Sequence, residues 1–452
     1  MEKLGLDPVE LSQLTQLCLD NSSIPKDFYD ELEVYRGLRD RYGKGVRSGL
    51  TKISSVDAFK EVDGKRVPID GVLCYRGINV EDLVGGFIQD DRLGFEETAY
   101  LLLFGRLPDE QELDDFRSLL VRSRNLPRNF TREVIMKAPN RDLMNCLARS
   151  VLTLGSYDDA MNDVSIGNVL SQCLTLISVL PMMAVYSYHA YNHYIRGKSF
   201  YIHNPRRSLS TAENILRMLR PDKSYTKFEA QVLDLALILH MEHGGGNNST
   251  FTTHVVTSSG TDTYSTMAAA LCSLKGPKHG GANIKVMEMM DDIRHHVTDV
   301  TDEEALAAYI RKIVAKEAYD RTGLVYGIGH AVYSLSDPRA RVFKGFVERL
   351  AKEKGREKEF AMYNAVAKLT PGILAENRQM YKAVCANVDF YSGFVYSLLG
   401  IPVELYTPMF AIARMVGWSA HRIEELINVD KIIRPAYVAV GTEQPYIPMD
   451  ER

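Results

Sequence analysis

From Val164 to Tyr194 the chain carries no Asp, Glu, Lys or Arg. A run of that length is long enough to cross a bilayer. It is also interrupted by Ser165, Asn168, Ser171, Gln172, Thr175, Ser178 and Pro181. That polar sprinkling suits a helix surrounded by other helices better than one surrounded by lipid. The run therefore asks for a large helical body around it, and no membrane partner is expected.

The chain supplies that body. Its 452 residues allow two or three domains, at roughly 150 residues each. Apolar content is 45% and charged content 25%, the mix of a soluble globular protein. A formal net charge of -4 provides no broad basic field, which excludes nucleic acid as the main partner. Small basic clusters such as Arg206 and Arg207 suit an anionic small molecule. The six cysteines stand singly, with no CxxC pair, which fits a reducing compartment rather than a disulfide framework. The opening MEKLGLDPVELSQL has neither the apolar core of a signal peptide nor the Arg-rich character of a transit peptide. A cytoplasmic location is expected.

Helix punctuation recurs along the chain. Residues 1–50 read as an amphipathic helical extension that breaks around Gly43, Lys44 and Gly45. Residues 64–80 suggest a short hairpin. FEETAYLLLF ends at Gly105, a helix C-terminal glycine. Pro108, Asp109, Glu110 and Glu112 open the next helix. Ser210 with Glu213, Thr226 with Glu229 and Thr301 with Glu304 are each spaced as a capping box. Asp337 before Pro338 is another start. No βαβ rhythm or internal repeat is visible, so the fold class is all-α.

Against this helical background His240 to Asn283 differs. It gathers His240, His243, His254 and His279 with two glycine clusters. The helix opened by Thr226 carries Phe228, Val232, Leu235 and Leu239 at buried spacing and delivers His240 and His243 at its end. Three-residue spacing lets both imidazoles share a face and enter one site. HxxH is not HExxH and no thiolate or carboxylate cluster stands near, so no metal is assigned. HGGGNNST and GPKHGGAN lack the Lys-Ser/Thr ending of a phosphate loop, and YGIGHAV is too short for a dinucleotide fingerprint.

Three later islands complete the inventory. VYGIGHAVYSLSDPR holds His330 in a glycine turn and Arg339 at a helix start. ANVDFYSG sets Asp389 among apolar and small residues, where burial raises a carboxylate pKa and makes a usable base; the alternative is a helix cap. Arg414 lies within the apolar run FAIARMVG and Arg434 precedes Pro435. A buried guanidinium needs an anion, either a substrate carboxylate or an internal salt bridge. Imidazoles, one carboxylate and several arginines suit a dicarboxylate substrate and proton removal beside a carbonyl.

At these islands the chain resembles the citrate synthase family. GPKHGGAN resembles the family's first catalytic histidine loop, GIGHAV with DPRA its second, NVDFYSG its aspartate segment, and HMEHGGGNNSTFTTHVV its substrate-binding segment. IDGVLCYRGINVEDL, FEETAYLLLFGRLP and the C-terminal Arg-Pro add weaker matches. The likeness runs in order over about residues 65 to 440. It implies a two-domain helical homodimer: a large domain of residues 1–277 and 390–452 and a small inserted domain of residues 278–389, closing on the substrates.

The resemblance implies condensation of acetyl-CoA with oxaloacetate and water to give citrate and CoA, an acyltransferase reaction of the citrate (Si)-synthase type in the tricarboxylic acid cycle. Asp389 would take a methyl proton. His279 would stabilise the enol(ate), and His330 would polarise the ketone. His243, Arg339 and Arg414 would hold oxaloacetate, with Arg434 reaching in from the partner subunit. His240 and His254 are read as structural support. No cofactor is implied, acetyl-CoA being a co-substrate. The alternative is 2-methylcitrate synthase, which uses propionyl-CoA.

The chain also departs from the family pattern. Ala331, Ser334 and Leu335 stand where many relatives carry basic CoA contacts, leaving Lys278, Arg341 and Lys344 as candidates. Gly244 replaces the acid that commonly follows the substrate-segment histidine. NRDLMNCLARSV lacks the usual HPM-like histidine.

Overall fold

The computed structural model describes residues 8–40, 44–63, 65–377, 383–428, 431–441 and 443–451. It is 59% helical with 6% strand, so the helical class holds and the strands are an appendage. Two helices, α1 (Pro8–Ser22) and α2 (Asp27–Glu31), precede a three-stranded antiparallel sheet of β1 (Ser54–Val62), β2 (Lys65–Tyr75) and β3 (Ile78–Asn79). Then follow α3 (Val80–Gln89), α4 (Phe95–Phe104), α5 (Glu110–Ser123), α6 (Leu143–Gly155), α7 (Ile166–Tyr194), α8 (Thr211–Leu219) and α9 (Lys227–His240). The second half holds α10 (Asn248–Ser258), α11 (Thr263–Leu274), α12 (Ala282–His296), α13 (Glu303–Val314), α14 (Pro338–Glu353), α15 (Glu357–Asn377), α16 (Val388–Leu398) and α17 (Tyr406–Asn428).

The uncharged run forms α7, and 83% of its most apolar window is buried inside the protein. α17 packs on α4, α7, α9, α10 and α11 and is the pillar of the larger body. Helices α12 to α16 pack on one another, and α16 runs through the expected domain edge at residue 389.

Helix starts follow the local chemistry. Asp109, Ser210 and Thr226 each close a full capping box. Gly105 takes the left-handed conformation that ends α4, with φ 86°. Pro338 sits in the first turn of α14 behind the cap Asp337. The cap of α13 is a correction. Asp302, not Thr301, accepts from Glu304 N and Ala305 N, because Thr301 is itself bound to Asp299. The hairpin is also longer than expected: β1 begins at Ser54, in residues whose charges hide the alternation. Gly43 lies outside the described residues.

Candidate active site

α9 ends at His240 with Met241 as C-cap, so His243 lies beyond the helix. Helical spacing does not carry across that end, and the shared site expected for the two imidazoles is not formed. His240 is fully buried and stacks on Phe410 at 3.7 Å between centroids, with neither ring nitrogen hydrogen-bonded. Burial, then the charges of Arg339 and Arg414, hold its pKa well below the usual range. His243 instead faces an open cleft of about 910 Å³. Its Nε2 lies 3.2 Å from Tyr333 Oη, and Tyr75 Oη holds the chain above it by donating to Ile238 O and Glu242 O.

His279 and His330 line the same cleft, as does Lys278. The His279 turn closes when Gly280 N donates to Leu274 O at 2.9 Å. A Cβ on Gly280 would sit 2.7 Å from that oxygen, so only glycine fits. His279 Nδ1 is 3.3 Å from Ser273 O, and a carbonyl only accepts, so Nδ1 carries the proton. Burial and then the Arg414 charge pull this pKa down to about 4, leaving the ring neutral with Nε2 unprotonated.

His330 has the opposite tautomer. The backbone N–H groups of Val332 and Tyr333 donate to its Nδ1 at 3.0 and 3.1 Å. Nδ1 is therefore an acceptor and Nε2 a donor. The ring stacks on Tyr333 at 4.7 Å and meets His243 edge-on at 5.0 Å.

Backbone pairing joins His330 to Asp389. Ile328 and Ala386 form an antiparallel bridge, Gly329 N donates to Cys385 O, and Asn387 N donates to Gly327 O. Gly327 has φ 77°, and a Cβ there would collide with Phe390 and Val286. Asn387 caps α16, its side chain accepting from Asp389 N, so Asp389 is not the helix cap. Asp389 as a residue keeps partial exposure, yet its Oδ1 is enclosed and has no hydrogen-bond partner. Burial raises its pKa to about 6; Arg339 and Arg414 pull the other way but do not win.

The arginines divide. Arg414 on α17 is 1% exposed, and its Nε donates to His240 O at 2.7 Å. Its Nη1 is buried without a partner, and burial lowers its pKa to about 10. Arg339 is also buried, but its Nε and Nη2 are held by Asp337 at 3.0 and 2.8 Å. Arg434 is exposed on the tail after α17 and is not part of the cleft wall. Of the proposed CoA contacts only Lys278 lines the cleft. Arg341 is paired with Glu81 and donates to Gly71 O, fixing α14 to β2 and α3. Lys344 is exposed on α14, outside the cleft lining.

One wall was missed by sequence reasoning. Leu38, Arg39, Gly45 and Val46 of the N-terminal extension line the cleft. Arg39 and Gly45 form an antiparallel bridge, and Val46 N donates to Leu38 O at 2.9 Å. The glycines of this strap were the available signal, read only as a break.

Comparison with known proteins places this arrangement. A family model described as "Citrate synthase, C-terminal domain" matches residues 40–436. The chain is 33% identical to a citrate synthase of Synechocystis sp. over 412 residues, 90% of this chain and 92% of that protein. It is 32% identical to one of Haloferax volcanii, covering 93% and 99% of the two chains. The citrate synthase structure of Pyrobaculum aerophilum superposes with a TM-score of 0.72 at 30% identity, covering 90% of this chain and 94% of that one. That of Thermoplasma acidophilum, a ternary complex with carboxymethyl coenzyme A and oxaloacetate, superposes with a TM-score of 0.74 at 27% identity, covering 90% and 97%. With its histidine turns, its aspartate helix and its buried arginines set in that fold, the chain belongs to the citrate synthase family.

Proposed function

We propose that this protein condenses acetyl-CoA with oxaloacetate and water, releasing citrate and CoA. The observation that carries the reading is a pair of unsatisfied buried groups, Asp389 Oδ1 and Arg414 Nη1; neither lines the cleft that holds the three histidines, but the Arg414 charge acts on Asp389 and on His243 and His279 of that cleft. Buried polar atoms normally find partners. A base without a donor and a guanidinium without an acceptor are what a C–H acid and a carboxylate substrate would fill.

Asp389, mostly ionised above pH about 6, takes a proton from the acetyl methyl group. The resulting carbon nucleophile attacks the ketone of oxaloacetate, whose oxygen accepts a hydrogen bond from His330 Nε2. Water then cleaves the thioester of citryl-CoA. Arg414 takes a carboxylate of oxaloacetate, assisted by His243 and by the edge of Arg339 that Asp337 leaves open. His279 must turn before it can serve. Its single proton is committed to Ser273 O, and its low pKa disfavours a second one. Closure of the cleft on oxaloacetate would release Nδ1–H to the thioester oxygen. A homodimer would bring Arg434 of the second copy to the substrate carboxylates, and Lys278 would meet the CoA phosphates.

The test is release of free thiol with oxaloacetate and each acyl-CoA. Acetyl-CoA should give the higher kcat/KM. One methylene is a discrimination of about 1–3 kcal/mol, so a propionyl-CoA preference would replace this reading by 2-methylcitrate synthesis. No thiol release with either would overturn both.

A further inference from the structure

Behind His243 lies a chain of four titratable side chains that the reaction above does not use. His421 Nε2 is 3.0 Å from Glu242 Oε1. His421 Nδ1 is 3.1 Å from His254 Nε2. His254 Nδ1 is 2.6 Å from Glu425 Oε2. The inner members, Glu242 and His421, have 0% side-chain exposure, and the outer pair, His254 and Glu425, keep 12% and 8%. The outer end opens into a small cavity that Arg47, Gly245 and Ile433 help to line.

Counting donors fixes the number of protons. Ionised carboxylates only accept, so His421 Nε2 and His254 Nδ1 must each donate outward. The two remaining nitrogens face each other at hydrogen-bond distance. If both rings were neutral, two lone pairs would meet there. One further proton is needed between them, giving three ring protons on two imidazoles and one positive charge between two carboxylates.

The inner end reaches the substrate side. Glu242 Oε1 also accepts from Gly244 N at 2.5 Å and from Ser54 Oγ at 2.9 Å. It thereby pins the peptide that follows His243. Its second oxygen nests over Gly417 of α17, where a Cβ would come within 2.5 Å of it and 2.4 Å of Met241 O. Arg414, Gly417 and His421 are spaced to share one face of α17. One helix face therefore carries both the open guanidinium and the start of the chain.

We propose that Glu242, His421, His254 and Glu425 form a proton-sharing chain with one excess proton between its imidazoles, and that Glu242 acts through it as the positioning residue for His243. The positioning half rests on the condensation reading; the proton count does not. Burial, then the charge of His421, hold the His254 pKa below its usual range, while Glu425 and Glu424 pull the other way. The charged groups facing the chain are few. Glu424 Oε2 stands 3.9 Å from His421 Nδ1, too far to replace His254. Arg414 acts electrostatically on Glu242, and Arg76 feels both Glu242 and Glu424. As pH rises the shared proton leaves and two lone pairs meet at the central contact; the repulsion is relieved when His421 moves its remaining proton to Nδ1, which leaves Glu242 with only Gly244 N and Ser54 Oγ as donors.

Histidine ¹⁵N spectra at pH 7 test the count, with His254→Gln and His421→Asn for assignment. One doubly protonated ring that vanishes when either partner is replaced is the expected result. Two neutral rings, or two imidazolium rings, would overturn the chain whatever reaction the protein catalyses. Kinetics test the positioning half. The wild-type KM for oxaloacetate should rise with pH as the proton leaves. In His254→Gln it should be raised about tenfold and lose that pH dependence, with kcat less affected; a full 1 Å misplacement can cost about 10²-fold. Glu425→Gln, which keeps an acceptor oxygen and removes only the outer charge, guards against a misfolded first variant. It should move the KM rise to lower pH. Unchanged KM and pH profiles in both variants, with the proton count intact, would overturn the positioning role alone.

Discussion

Two buried arginines lie two turns apart on α17 and differ in what surrounds them. Arg422 has a partner on every nitrogen: they donate to Thr257, Thr263 and Thr266 hydroxyls and to Thr261 O, at 2.9 to 3.2 Å. Arg414 has one carbonyl partner, an orphaned Nη1 and, among the described residues, no carboxylate within ion-pairing distance. Both are as buried as core leucines. The partnered one ties α17 to α10 and α11 and belongs to the fold. The open one stores an unmet demand that a substrate carboxylate can fill. Between these two arginines it is the incomplete hydrogen-bond count, and not the charge, that marks Arg414 for a substrate.

Asp389→Asn presses that distinction hardest. Loss of a general base should cut condensation by about 10²–10⁴-fold while oxaloacetate still binds, measured by thiol release and calorimetry on one preparation. Near-normal turnover would remove Asp389 from the mechanism. The partnered region should fail differently. Arg422→Met strands the Thr257 hydroxyl and takes a donor from Thr263 and Thr266, which keep their bonds to Gln172 and Asp262; with one stranded group worth about 1–3 kcal/mol, it should lower stability in denaturant by roughly 2 kcal/mol or more. A stable variant would mean those contacts count for little.

The pH behaviour sharpens the same contrast. Burial raises the folded pKa of Asp389 to about 6, above its ordinary value of 3.8. A raised carboxylate pKa means stability that is fully present below the unfolded value and lost as pH rises through the folded one. Ionised Asp389 therefore destabilises the fold above pH 6, where Asp389→Asn should melt higher than wild type. The gap should shrink as pH falls toward 4, and wild-type kcat should fall over the same window. A gap that widened on acidification would contradict the burial of this carboxylate. The smallest effect is on CoA. Lys278→Met should raise the acyl-CoA KM a few-fold, about the 1 kcal/mol of an exposed charge. Arg341→Met, already paired with Glu81, should leave KM alone. Equal effects would erase the difference between the two cations.

The fold was legible where its signals are local. The capping boxes of α5, α8 and α9, the terminal Gly105 and the Asp-Pro start of α14 each span four residues or fewer. The histidine and aspartate islands were legible for the same reason. What escaped depends on distance. Glu242 and His421 are 179 residues apart, so nothing in the sequence announces their contact. The split between His240 and His243 turns on where α9 stops, and helix ends are read only to within a residue or two. The strap that sets Arg39 beside the cleft was hidden by glycines read only as a break. Arg341 looked like a phosphate contact until its distant partners Glu81 and Gly71 came into view.

Oxaloacetate affinity in Arg414→Met and Arg422→Met, measured by calorimetry at pH 7 beside the wild type, tests the central contrast most directly. Truncating one member of a buried charge pair costs about 2–5 kcal/mol of binding. Arg414→Met should therefore bind roughly 30-fold more weakly or worse, and folded Arg422→Met should bind within a few-fold of wild type. Equal affinities in the two variants would contradict the assignment of Arg414's open valence to the substrate.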